Sequence, residues 1–455
     1  MKGMTQGERK ATTALASIFA LRMLGLFMIM PVFAIYGREL TGSTPALIGL
    51  AIGIYGLAQA ILQIPIGLLA DRMNRKQLIV QGLILFAIGG AVAAMSTSIW
   101  GVIAGRAIQG AGAISAVVMA LLADLTREEQ RTKAMSTIGM SIGLSFAVAF
   151  ILGPFVAAHF GLSGLFWATS LLGVGGLCLL AIVPNPTITL KQNSDSYWLQ
   201  LRQNFVHPEL LRLNVGIFVL HLVMTASFVL LPHLLIDYAH LAPSQHGWVY
   251  LPIVLGGFIA AVPAIIIAEK KRKIKQVFLF GIALLAISLA VLAQGYQHYV
   301  NLLVGISLFF IAFNLLEALL PSLLSKIAPA GNKATAMGIY SSGQFFGAFC
   351  GGVLGGVLFT HYTIGVIYMM LVGFALLWLL LAATMQSPRF LHSMMLTIPP
   401  CHASVATQLV HDLQGLAGVE EVVVLATDGL IYLKVDKLSF DEKQIDGFVS
   451  RVVAA

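Results

Sequence analysis

GLLADRMNRK, residues 67–76, lies between two long apolar runs. It carries one carboxylate, Asp71, ahead of three cations, Arg72, Arg75 and Lys76. The flanking runs cover about 46–70 and 77–96. At about 1.5 Å per helical residue, each can cross a hydrocarbon core about 30 Å thick. A charged connector this short between two such runs reads as the turn of a transmembrane hairpin. Repeating that unit along the chain gives the fold.

Composition agrees. Of 455 residues, 58% are hydrophobic and 10% are charged, where soluble domains carry roughly 25% charged residues. Mean hydropathy is +0.90. The net charge of +8 would suggest a nucleic-acid partner in a soluble protein. Here it reads as the cation excess that orients membrane proteins, so the expected surroundings are a lipid bilayer and no nucleic acid. The 45 glycines suit closely approaching membrane helices. Cys178, Cys350 and Cys401 stand far apart, which gives no disulfide framework and no CxxC metal site. No metal or other cofactor is expected. The first apolar run is too long for a cleavable signal peptide and leads directly into more spans.

Twelve apolar segments can be drawn, at about 12–36, 46–70, 77–96, 99–123, 134–158, 163–183, 211–236, 246–268, 276–294, 299–325, 334–359 and 363–385. A polar linker, 184–210, separates an N-terminal half, 1–183, from a C-terminal half, 211–387. With the N-terminus cytoplasmic, connectors on that side hold nineteen Lys and Arg before the tail, and the other side holds only Arg38. The positive-inside rule then places both termini in the cytoplasm. The halves repeat: ADRMNRKQ (70–77) precedes AEKKRKIK (268–275) by 198 residues, and RTKAMSTIG (131–139) precedes KATAMGIYS (333–341) by 202. Gly139 and Gly143 answer to Gly343 and Gly347, with Gly351 and Gly355 continuing the series. Such spacing permits tight helix contact. Parallel repeats suggest two halves rocking about a midplane site. The tail, 388–455, reads as a small βαββα domain. Its strands are MMLTI (394–398) and the two runs around Asp428-Gly429, with a helix from Ser404 to Leu413 and a last helix opening at Ser439 or Asp441. The expected fold is thus an all-α membrane protein of twelve helices with a small α+β cytoplasmic domain of ferredoxin-like type, although a closing strand is not visible.

Charges inside the membrane each cost about 2.5–3.5 kcal/mol at a helix centre, so each needs a function or a partner. Glu317 in span 10 is the one acidic residue well inside. Arg22 in span 1 and Arg106 in span 4 are the embedded cations, and His221 in span 7 reads as the most embedded histidine. A partly desolvated carboxylate can load and release a proton near neutrality, so Glu317 is the candidate proton carrier, with Asn314 one turn earlier on the same face. The competing reading of Glu317 is a fixed partner for Arg22 or another polar group. His221 has the right intrinsic chemistry for coupling but equally suits a hydrogen-bonded wall. Tyr55, Gln59 and Gln63 recur at helical spacing on span 2, as do Tyr340 and Gln344 on span 11. Polar stripes of this kind face a bundle interior or a cavity, so they are substrate-contact candidates.

Motifs carry a family resemblance. GLLADRMNRK resembles the signature loop of the major facilitator superfamily, G-x-L-a-D-r-x-G-R-k. RAIQGAGAI (106–114), with Arg106 and Gln109, is similar to that superfamily's span-4 motif. LGLFMIMPVFA (24–34) resembles the span-1 pattern of its twelve-helix drug/proton antiporters, with Ala34 replacing a proline. Only Gly153-Pro154 remains of the antiporter span-5 pattern. LRMLG, RAIQG, LADLTRE, KRKIKQVF and the tail resemble the narrower YajR-like group, which appends a ferredoxin-like domain. The resemblance implies a central cavity open alternately to each side, and a role for Arg106 in proton coupling. It also implies a latch of Gly67, Asp71, Arg72, Arg75, Lys76 and Asp124. In that latch Asp71 caps the start of span 11, Arg75 reaches Asp124, Gly67 permits close packing, and Asn74 replaces a glycine in a left-handed turn.

The expected function is secondary active transport at the inner membrane: proton-driven efflux of a small organic or amphipathic molecule. A proton-coupled importer and a non-transporting sensor that reports through the tail are the alternatives. The tail could contact a ligand or a protein. No nucleophile–base arrangement, phosphate loop or metal spacing suggests an enzyme.

Overall fold

The computed structural model describes residues 4–70, 73–184, 194–329, 333–387, 392–398, 403–425 and 429–435. Asp71, Arg72, Cys401, His402 and the expected helix at 439–441 lie outside these residues. Helices follow in the order α1 (Gln6–Phe27), α2 (Met30–Tyr36), α3 (Pro45–Ala70), α4 (Arg75–Met95), α5 (Ile99–Ala111), α6 (Ser115–Asp124) and α7 (Glu128–Ala181). They continue with α8 (Ser194–Val206), α9 (Pro208–Asp237), α10 (His246–Lys270), α11 (Ile274–Gly295), α12 (Tyr299–Ile327), α13 (Lys333–His361) and α14 (Ile364–Ala383). Eleven apolar stretches among the described residues are long enough to cross a membrane.

The eleven stretches and the twelve expected crossings are reconciled at Gly161. The 54 residues of α7 would run about 80 Å, far beyond a bilayer. Gly161 interrupts them at φ 66° and ψ −169°, a conformation essentially restricted to glycine. Before it, Ser145 donates to Ala20 O at 3.0 Å and Gly153 abuts Met28, so α7 runs parallel to α1. After it, Thr169 lies against Gly25 and Gly175 against Leu21, so the direction has reversed. Spans 5 and 6 are therefore two crossings. Spans 1 and 4 are each broken in two. Pro31 starts α2 without an N–H to give to α1. The 112–114 break in span 4 is tight: Gly112 lies against Gly82 O, and Gly110 against Tyr55 O.

Local chemistry sets the helix starts. Thr5 and Glu8 form a reciprocal capping box on α1. Asn74 caps α4, its Oδ1 accepting from Lys76 N at 2.9 Å. This corrects the left-handed turn expected of Asn74, whose φ is −63°; the residue serves as an N-cap because its side chain satisfies a free helix N–H. The close packing expected of Gly67 is also corrected, since a Cβ there would meet only Ala116 Cβ, at 3.9 Å. Within the 184–210 linker, α8 packs against α13 and α9.

The glycine repeat is used unequally. On α13, Gly347, Gly351 and Gly355 lie against the α9 backbone, while Gly352 and Gly356 lie against α3. Gly139 and Gly143 of α7 face open space, so tight contact at that end of the repeat is not found. In the tail, β1 (His392–Thr397), β2 (Val419–Leu425) and β3 (Leu430–Val435) form an antiparallel sheet of order β1-β3-β2. Ile431, Leu433 and Val435 alternate to one face and cluster with Leu409 and Leu413 of α15 (Ala403–Gln414).

Candidate functional site

The side carrying the N-terminus and the 67–76 turn is called the N-face. The helix groups α1–α7 and α9–α14 meet closely on the opposite side. There α3 and α13 touch from Pro45 against Gly356 to Tyr55 against Phe345, and Gly49 and Gly53 lie against Gly352 and Phe349. Phe146 and Phe150 of α7 pack on Phe310 and Phe313 of α12, and Phe150 also on Phe228 and Tyr250.

Beneath this aromatic plug, on its N-face side, three helices converge on one polar network. His221 (α9), Glu317 (α12) and Gln344 (α13) meet there. His221 Nδ1 donates to Ile217 O at 3.2 Å, so in the neutral ring Nε2 is the acceptor. The Gln344 amide nitrogen supplies a donor to His221 Nε2 at 2.8 Å and another to Glu317 Oε1 at 3.2 Å. His221 Nε2 stands 3.9 Å from Glu317 Oε2, which has no hydrogen-bond partner among the described residues. The Glu317 side chain is 37% exposed, although Phe309, Phe310 and Phe313 one or two turns earlier are buried. Tyr340 lies within electrostatic range of Glu317, and its hydroxyl has no partner among the described residues. Asn314 turns away: its amide donates to Val254 O of α10 at 3.5 Å, not toward Glu317.

Chemically, Gln344 is an adaptable bridge. With its amide as found, it serves a neutral histidine and a carboxylate. Turned over, its oxygen can accept a proton held on His221 Nε2. A proton on Glu317 Oε2 leaves both amide bonds in place, whereas a proton on His221 Nε2 removes the acceptor there, and turning the amide over to meet it gives up the bond to Glu317 Oε1.

The first helix group carries the buried cations. Arg22 donates to Ser115 Oγ at 2.9 Å and lies beside Tyr55; its Nε and Nη2 have no partner among the described residues. Arg22 does not pair with Glu317. Arg106 bonds Ala51 O, Ile52 O and Gln109 Oε1 at 3.2–3.5 Å, with its guanidinium 4.9 Å from the Tyr55 ring centroid. Gln109 passes the chain on to Thr169 Oγ1 at 3.0 Å. Arg106 and Gln109 thus hold helices together rather than lining an open space. Tyr55, Gln59 and Gln63 are also buried, and Gln59 and Gln63 each keep an Oε1 with no partner among the described residues.

At the N-face Arg75 pairs with Asp124 and also donates to Ala70 O and Ala120 O, while Lys76 Nζ donates to Val183 O at 2.7 Å. Arg127 clasps Glu8 at 2.9 and 3.0 Å. The second group holds a counterpart. Glu269 accepts from Lys326 at 2.8 and 2.9 Å and from Ser322 at 2.7 Å. Lys326 follows Asp124 by 202 residues and Glu269 follows Asp71 by 198, the two repeat offsets already seen, so a base in the second half stands where the first half has the acid Asp124. Sequence reading missed His233 and His246, because both stand near span ends where a histidine reads as a loop residue.

Comparison with known proteins places this geometry. A family model described as Major Facilitator Superfamily matches residues 15–320 and, separately, 213–391. The inner membrane transport protein YajR of Escherichia coli (strain K12) is 47% identical over 435 residues, covering 95% of each chain. The quinolone resistance protein NorA of Staphylococcus aureus (strain COL) is 24% identical, over 76% of this chain and 89% of its own. The crystal structure of the nucleoside transporter NupG matches with a TM-score of 0.65 at 16% identity, over 84% of this chain and 99% of that one, a likeness of fold. The chain belongs to the major facilitator superfamily: it is a polytopic membrane transporter of that family and not an enzyme.

Proposed function

We propose that the protein is a proton-driven exporter of small organic or amphipathic molecules in the inner membrane, working by alternating access between halves 1–183 and 211–387. The observation that carries this reading is the His221–Gln344–Glu317 network, which lies on the N-face side of the aromatic plug and keeps one buried carboxylate oxygen without a hydrogen-bond partner among the described residues. The N-face is assigned to the cytoplasm from the nineteen-to-one cation asymmetry. The close contacts on the opposite face then make this a cytoplasm-open state. Protonation of Glu317 removes the charge from the site, substrate leaves outward, and Arg22 and Arg106 supply fixed positive charge across from it. Asp71 and Arg72, with Arg75, Lys76 and Asp124, form the cytoplasmic latch that closes when the cavity faces out. The quinolone resistance for which NorA is named favours export of this kind. The tail is a ferredoxin-like module that senses a ligand or a protein partner.

The test has two steps. A thermal-shift screen of purified full-length protein identifies stabilising compounds. Their flux is then followed in oriented vesicles with and without an imposed pH gradient. Efflux accelerated by a gradient that is acid on the opposite face supports the reading. Accumulation in the direction of the proton would show import, and no flux with ligand-dependent movement of the tail would show a sensor.

A further inference from the structure

We propose that His233 is a proton-responsive bolt in the opposite-face seal, binding the two helix groups together through Arg38 only while its Nε2 is unprotonated. Arg38, in the 3-10 turn Gly37–Glu39 after α2, places Nη2 3.1 Å from His233 Nε2 of α9. A guanidinium can only donate, so the ring nitrogen must accept, and it can accept only without a proton. The two residues belong to different helix groups, and the bond spans the seal.

The ring has little freedom to find another partner. It is buried and lies flat on Phe359 of α13, with centroids 5.1 Å apart and 5° between planes. Arg38 is exposed, so the outer end of the bond meets water, the source of the proton. The other groups around the ring are few. His246, buried at the start of α10, is within electrostatic range. Asp237 stands one turn further along α9, and exposed Glu39 sits beside Arg38. A proton on Nε2 deletes the acceptor and sets an imidazolium against a guanidinium, with His246 nearby. Separating the two groups relieves that repulsion. The rest of the seal described above is glycine backbone against glycine backbone and aromatic rings; its ionisable members Tyr55 and Tyr250 are not bases that acid would charge, and His246, whose ring lies 6.2 Å from that of Tyr250, is tested separately below. Acid on the opposite face therefore favours opening of that face. This inference does not require Glu317 to carry a proton, because His233 lies on the other side of the aromatic plug.

The test uses the full chain in lipid nanodiscs, with native cysteines replaced by serine and spin labels at Thr41→Cys and Ser244→Cys. Distances across the opposite face are measured at pH 8 and pH 5. Acidification is expected to raise the open-to-closed ratio about tenfold or more, the effect of losing a hydrogen bond to a charged group. His233→Gln keeps an acceptor for Arg38 and cannot be protonated there, so it is expected to stay closed at both values. Arg38→Gln, altered at an exposed side chain, is expected to flatten the response too. The same response is expected in a Glu317→Gln background. The proposal is overturned if native protein does not open with acid, if His233→Gln opens as native does, or if His246→Gln alone removes the response.

Discussion

The Gln344 side chain is the most informative single residue in the bundle. Both of its amide donors are used, one on His221 and one on Glu317. Gln344→Leu leaves two polar atoms without a donor in a mostly apolar setting, which costs about 1–3 kcal/mol for each group left unmet. A clear fall in the melting temperature of purified protein is the expected outcome; no change would show that the amide is idle. The N-face ion pair calls for the opposite expectation. Arg75 and Asp124 keep 20% and 36% of their side chains exposed, and pairs so exposed contribute about 0–1 kcal/mol. Asp124→Asn should hardly move the melting temperature, and a drop of several degrees would mean that the pair is structural. Residue identity was readable at Glu317, His221 and Gln344 from the cost of burying polar groups. Their meeting was not readable, because they come from three helices spread over 124 residues of chain and only packing brings them together. Arg106 shows the reverse: its motif suggested chemistry, and its hydrogen bonds to Ala51 O and Ile52 O join helices.

Among the elements, α3 and α13 make the decisive contact. A Cβ on Gly49 or Gly53 would strike backbone of α13, which cannot swing aside as a side chain can. Gly49→Ala and Gly53→Ala should therefore force the opposite face apart. A reporter at Ser244→Cys should react faster with a membrane-impermeant maleimide than in the parent protein, whereas Gly139→Ala, with nothing within 4 Å, should leave the rate unchanged. Equal rates in all three would remove α3–α13 packing as the seal. Apolar length made the spans legible in the sequence. The breaks were less legible, since Gly161 resembles many other glycines of the chain and only its backbone angles separate spans 5 and 6. Helix α8 was hidden inside a polar linker for a related reason: a short helix that crosses nothing leaves no long apolar run.

For the whole molecule, the relevant scale is the energy of one proton. Moving it across the membrane field supplies about 2.3 kcal/mol per 100 mV. The two states must then differ by no more than a few kcal/mol for a proton to choose between them. A seal built from glycine contacts, aromatic packing and one Arg38–His233 hydrogen bond is of that modest kind. The superfamily was legible in the 67–76 turn, whose acid-before-base order topology alone does not require. Substrate was not, because a cavity is recognised by surfaces that many helices build jointly. The most direct test is gradient-driven flux of a screened ligand in oriented vesicles containing native protein or Glu317→Gln. Native protein should accelerate export when the opposite face is made acid, and Glu317→Gln should retain gradient-independent exchange while losing that acceleration. A Glu317→Gln protein that still follows the pH gradient would contradict the assignment of Glu317 as the proton carrier.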